Sequence, residues 1–360
     1  MRTFRLLALF VLLAASGVAL AADQPQLINA KVETRSAAAG LQETVNTLLR
    51  QPGPAWISYS VPVVAGEHEM CCFNRDSDTG SCCSGCSLEP RDSGKFVGSS
   101  SGDCKLESAS YFFVFLRMDQ GRVEKVRTFS ADCGIDASGL TVYELTGVHP
   151  AESVTLLTAL ATVAPNGDES RRRIENGAIM AIAFHADPAA DKTLDTLVGP
   201  SQPSELRKKT AFWLGQLRGK HGLDTLLELM RTDTDDHFRS EVVFPISQSR
   251  EPNALDALMR IAHDDSSSRV RSQALFWLAQ KAGKKILGTL TDAIENDPDT
   301  DVKKKAVFAL TQMPKDEGIP LLIQVAKNNR NPAVRKQAVF WLGQSHDPRA
   351  LDFIESVLRQ

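Results

Sequence analysis

Seven cysteines are the densest reactive chemistry in this 360-residue chain: Cys71, Cys72, Cys82, Cys83, Cys86, Cys104 and Cys133. All lie within 63 residues of one another, and none follows Cys133. Thiols in that density support three chemistries. They can form disulfides, hold a soft metal ion through Cys82-Cys83-Ser84-Gly85-Cys86 with Cys71, Cys72 and His68, or work as a redox pair. Disulfides are the favoured reading, because the spacing is irregular for a zinc site and the flanks are not strongly electropositive. An odd number leaves at least one thiol unpaired or intermolecular. Residues 70–105 are polar and rich in Gly and Ser, so each bridge there would contribute about 2–4 kcal/mol toward order.

The compartment follows from the first residues. Arg2 and Arg5 precede the apolar run Leu6–Leu13, and Ala19-Leu20-Ala21 supplies small residues at cleavage spacing. This reads as a secretory signal peptide, residues 1–21, removed after Ala21. Its apolar run is short for a membrane span, and no later stretch is apolar enough to cross a bilayer. Export, to a periplasm or beyond the cell, favours disulfides in turn.

No other pattern offers catalysis. The chain lacks Gly-x-Ser-x-Gly, His-Glu-x-x-His and the Gly-rich phosphate loops. Its seven histidines are scattered. No catalytic residue, cofactor site or metal site is assigned, and the chain is expected not to be an enzyme. Charge is uneven: residues 22–150 hold 11 basic and 16 acidic residues, whereas residues 151–360 hold 28 of each. A neutral half argues against a nucleic-acid groove, which needs a net basic field.

Residues 22–150 read as a small α+β unit. Leu41, Val45, Leu48 and Leu49 share one side of a helix over 37–50. Trp56–Val64 is rich in β-formers, and Tyr111–Arg117 and Val123–Phe129 flank Asp119-Gln120-Gly121 as a hairpin. Leu140–Leu145 adds a further strand. Residues 151–165 form a connecting helix.

From residue 166 onward the chain repeats every 32 residues. Phe212, Phe244, Phe276, Phe308 and Phe340 form one column, and Leu214, Ile246, Leu278, Leu310 and Leu342 another. Arg207, Arg239, Arg271, Lys303 and Arg335 make a basic column; Gln216, Gln248, Gln280, Gln312 and Gln344 make a fourth. Asp235, Ser267, Asp299 and Asn331 stand where an oxygen can cap a helix. Leu226, Leu258, Leu290, Leu322 and Ile354 place a stripe on a second helix. Such a period marks stacked helix pairs. Trp213, Trp277 and Trp341 read as core. The Phe column reads as core too, the basic column as partly solvated and the glutamines as bound to backbone. A weaker first copy spans 166–199.

Helix starts such as Asp299-Thr300-Asp301-Val302-Lys303-Lys304-Lys305-Ala306 resemble HEAT-like repeats, in the short form of bilin-lyase-type proteins. The resemblance implies a mostly α chain: an α-α superhelix of about six repeats over 166–360, preceded by the Cys-rich α+β domain. It also implies a scaffold for protein partners, held on exposed second-helix residues such as Glu228, Arg260, Asp292 and Gln324. A bilin-lyase-like enzyme is the alternative, opposed by the signal peptide. The apolar last repeat, with Phe340 and Phe353, suggests a contact with a second copy, as a homodimer, or with a partner.

Overall fold

A computed structural model describes residues 25–66, 86–89, 110–130, 134–162, 169–281 and 283–359. The expected signal peptide and the side chains of all seven cysteines lie outside them.

The N-terminal unit is a layered sheet domain. Its strands are β1 (Gln26–Ile28), β2 (Lys31–Ser36), β3 (Ala55–Pro62), β4 (Cys86–Ser87), β5 (Tyr111–Asp119), β6 (Arg122–Ser130), β7 (Gly134–Asp136) and β8 (Thr141–Thr146). Five form a mixed sheet in the order β2-β8-β3-β5-β6; β1, β7 and β4 form a small parallel one. The expected hairpin is present. Its turn residues Gln120 and Gly121 have φ of 50° and 77°, as a two-residue primed turn requires. Strand β3 is buried on both faces. On one side Ile57, Tyr59 and Val61 meet helix α1 (Leu41–Leu48) and helix α2 (Pro150–Thr162). On the other, Trp56, Phe113, Phe115 and Phe129 pack on Leu88 and Ile135 of the small sheet. The short strands β1, β2 and β7 were not expected, since three to six residues of mixed polarity carry little period-two signal.

Six helix pairs follow: α3 (Glu169–Phe184) with α4 (Pro188–Val198), α5 (Ser204–Leu217) with α6 (Gly219–Thr232), α7 (Asp236–Gln248) with α8 (Ala254–Asp264), α9 (Ser268–Lys281) with α10 (Leu287–Asn296), α11 (Thr300–Leu310) with α12 (Lys315–Asn328), and α13 (Pro332–Gln344) with α14 (Pro348–Leu358). Three of the expected caps are made. Asp235 accepts from the His237 and Phe238 amides, Asp299 from those of Asp301 and Val302, and Asn331 from that of Ala333.

One core runs through both units. Helix α3 lies so close to β6 that a Cβ on Gly177 would sit 2.1 Å from the Val126 carbonyl oxygen. The sheet therefore covers the first pair as a neighbouring repeat would.

The innermost layer differs from expectation. Leu214, Ile246, Leu278, Leu310 and Leu342 are at most 1% exposed. The Phe column is only half-buried along Phe212, Phe244, Phe276 and Phe308, and Phe340 is 53% exposed. Its rings form a ridge: Phe212 stacks on Phe244 at 6.1 Å, and Phe244 lies 4.5 Å from Trp277 between centroids. Trp213 is buried, but Trp277 and Trp341 are half-buried. The first helix is apolar around most of its girth, so sequence could not say which side faces the deepest layer.

Candidate functional site

Three members of the basic column, Arg207, Arg239 and Arg271, are buried clamps, while Lys303 and Arg335 are half-buried. Arg271 donates from Nε and Nη2 to Asp297 at 2.7 and 3.0 Å, and from Nη1 to the Asp265 carbonyl of the preceding loop at 2.8 Å. Arg239 repeats this with Asp265, at 3.3 and 3.1 Å, and with the Asp233 carbonyl, at 2.8 Å. Arg207 pairs with Asp233, donates to the Val198 carbonyl and lies 3.5 Å above the Phe238 ring. Each guanidinium thus ties its own first helix to the end of its own second helix and to the loop before it. These side chains are 6–10% exposed, so the expectation of partial solvation is overturned. Hydrogen bonding to Asp297 raises the Arg271 pKa above its ordinary value. The partner column Asp233, Asp265, Asp297 was present in the sequence at the same 32-residue spacing. Each aspartate lies 26 residues beyond its arginine, so only the folding back of the second helix brings the pair together.

The clamp lapses in the fifth pair. Lys303 replaces arginine, and Asn329 stands where the aspartate would. The Lys303 ammonium instead donates to the Glu295 carbonyl at 2.6 Å, and Asn329 donates to the Ile294 carbonyl and Glu295. The glutamines also depart from expectation. Gln248 and Gln312 donate to the neighbouring Ser247 and Thr311 hydroxyls, and Gln280 reaches Gln312 at 3.4 Å.

The second helices carry the candidate binding face. Glu228, Arg260 and Gln324 are exposed and Asp292 is half-buried. Glu228 takes both hydrogen bonds of Arg231, at 2.6 and 3.0 Å, which lower its pKa. Between α8 and α10 lies an open groove of about 230 Å³ lined by His263, Thr289, Asp292 and Asn296. His263 stands 2.5 Å from Asp264 and 3.5 Å from Asp292, and its hydrogen bond to Asp264 raises its pKa. The face is polar, of mixed sign, and graded by its own ion pairs. No group of His, Cys, Asp or Glu suited to a metal ion occurs among the described residues, and no helix among them is long and apolar enough to cross a membrane.

A buried polar relay joins the two units, and no sequence signal marked it. Ser153 Oγ of α2 lies 3.0 Å from Tyr59 Oη of β3 and 2.9 Å from His185 Nε2, just after α3. All three are at most 1% exposed. Burial pushes the Tyr59 pKa up and lowers that of His185 to about 4. Arg218 anchors the turn by donating to the Ala183 and His185 carbonyls at 3.1 and 2.7 Å and to Asp191.

Successive antiparallel helix pairs in one register, bridged by a repeated Arg–Asp clamp, define an α-solenoid. Over residues 190–279 and 287–360 these repeats match the HEAT-repeat family model. Among solved structures, human deoxyhypusine hydroxylase is similar at 16% identity, covering 57% of this chain and 90% of its own, with a TM-score of 0.28. A phycocyanin lyase complex from Nostoc is similar at 17% identity, over 43% of this chain and 98% of its own, with a TM-score of 0.34. Kap95p, in a complex with RanGDP, is similar at 18% identity, over 59% of this chain and 32% of its own, with a TM-score of 0.38. No curated protein sequence matches the chain significantly.

Proposed function

We propose that the chain is an exported, non-enzymatic scaffold that holds a protein partner along the second helices of its HEAT repeats. One observation carries this reading: three of four successive layers present an exposed polar residue in register, Glu228, Arg260 and Gln324, while the buried charges are spent on holding the layers together. A mixed-sign polar face suits a protein surface. It does not suit a polyanion, and three of the five basic residues that could have met nucleic acid, Arg207, Arg239 and Arg271, are occupied by aspartates. Export rests on the apolar leader, and the cysteines are read as three disulfides with one free thiol.

Affinity capture from the exported fraction with the wild type and with Glu228→Arg/Arg260→Glu tests the binding face. A protein recovered by the wild type and lost with the variant supports it. Equal recovery, or none from the wild type, overturns it. Mass spectrometry of the same material should find an N-terminus at Ala22 and one alkylatable thiol before reduction; stoichiometric zinc would overturn the disulfide reading.

A further inference from the structure

The larger sheet ends on an unshielded strand. All six residues of β2, Lys31 to Ser36, are exposed, and its ladder among the described residues runs to β8 alone. The ladder fixes which way the backbone faces. The Lys31 amide donates to the Leu140 carbonyl at 3.1 Å and the Ala37 amide to that of Thr146 at 2.8 Å. In a parallel pair alternate residues bond to the same neighbour, so Lys31, Glu33 and Arg35 spend their backbone groups on β8. Val32, Thr34 and Ser36 turn theirs outward. Such a row is a template for another strand.

We propose that this edge pairs with the same edge of a second copy, β2 against β2 antiparallel, so that two five-stranded sheets run on as one. The outward row is symmetric about Thr34. Setting Thr34 opposite Thr34 matches every outward amide and carbonyl, with Val32 facing Ser36 twice over, once the Arg35 guanidinium, which donates to the Thr34 carbonyl at 3.1 Å in the single chain, turns to the Glu33 of the other copy. That register also sets Glu33 of each copy opposite Arg35 of the other. Within one chain these two already lie 2.6 Å apart on one face, so pairing produces a four-charge cluster of alternating sign. Sliding by one hydrogen-bonded step in either direction brings Glu33 onto Glu33 or Arg35 onto Arg35, and like charges directly opposite are unfavourable. Only the Thr34-centred register is electrostatically self-complementary, which is why the occupant is a second copy. Pairing would also cover part of Val32, now 48% exposed.

Sedimentation velocity of the full chain across a concentration series tests this. The wild type should approach twice the 39.3 kDa chain mass, less the leader. Thr34→Pro removes one outward amide and leaves the β8 ladder intact, so it should sediment as a folded monomer with unchanged circular dichroism. Glu33→Arg should shift the dimer midpoint at least tenfold upward, and Glu33→Arg with Arg35→Glu should restore it. A wild type monomeric throughout overturns the proposal. So does a dimer indifferent to Glu33→Arg alone, one that the added Arg35→Glu does not restore, or one dispersed by Leu358→Asp in the last repeat instead.

Discussion

The two ends of the helical array are finished differently. At the first pair, α3 packs into the sheet through Gly177, and Phe184 and His185 are wholly buried. The Arg–Asp clamps begin at the next pair. At the last pair Val339, Phe340, Leu351, Val357 and Leu358 are 40–81% exposed, and the clamp has already lapsed at Lys303 and Asn329. The same backbone repeat is thus held by buried ionic clamps and a covering sheet at one end, and at the other by apolar contacts and hydrogen bonds to backbone carbonyls, such as those of Arg335 and Arg349. In a stack, each layer's stability comes from itself and its nearest neighbours. Opening should therefore begin at the C-terminal pairs.

That contrast can be broken most sharply at Arg271. Arg271→Ala strands the Asp297 carboxylate in a site 5% exposed and should cost about 3–5 kcal/mol. The equivalent Lys303→Ala should cost below about 1 kcal/mol. Chemical denaturation of both variants checks this; equal losses would erase the distinction.

The joint with the sheet has its own signature in pH. His185 is held neutral, with its folded pKa near 4 against an ordinary 6.5. Between those values the unfolded chain binds a proton that the folded chain does not, so stability falls as pH drops through this window. The full loss is about 3 kcal/mol, and it is absent above pH 6.5. Asp187 opposes the shift and Arg218 adds to it. Thermal melts of wild type and His185→Gln from pH 7 to 4 should converge toward acid; parallel curves would remove the histidine from the account.

Smaller effects grade the aromatic ridge. Phe276→Ala should cost about 2 kcal/mol, below the 3–5 typical of full burial, because that ring is half-buried. Phe340→Ala should cost under about 0.5 kcal/mol, as surface changes do. Hydrogen exchange adds the finest test: amides of α13 and α14 should exchange before those of α7 and α9.

Much of this was legible in the chain. Asp235, Asp299 and Asn331 cap helices because an oxygen three atoms from the backbone reaches the next amides wherever it stands, a local effect. The 32-residue register declared the stack because each pair must bury its stripe on a near copy. The hairpin at Gln120-Gly121 followed from turn chemistry. Of the candidate binding face, Glu228, Arg260 and Gln324 are exposed as their register implied, while Asp292 is half-buried in a groove shared with His263.

Burial, in contrast, was decided by packing. Periodicity says that Phe276 and Leu278 recur, but the angle at which neighbouring helices meet sends leucine inward and leaves phenylalanine on a ridge. Arg271 read as solvated because a charge belongs in water unless a partner awaits it, and Asp297 becomes that partner only when the second helix folds back 26 residues later. The Tyr59–Ser153–His185 relay needed three segments up to 126 residues apart to converge. Local physics fixed the helices and their count; the meeting of distant surfaces, which no single segment encodes, chose the core, the clamps and the joint.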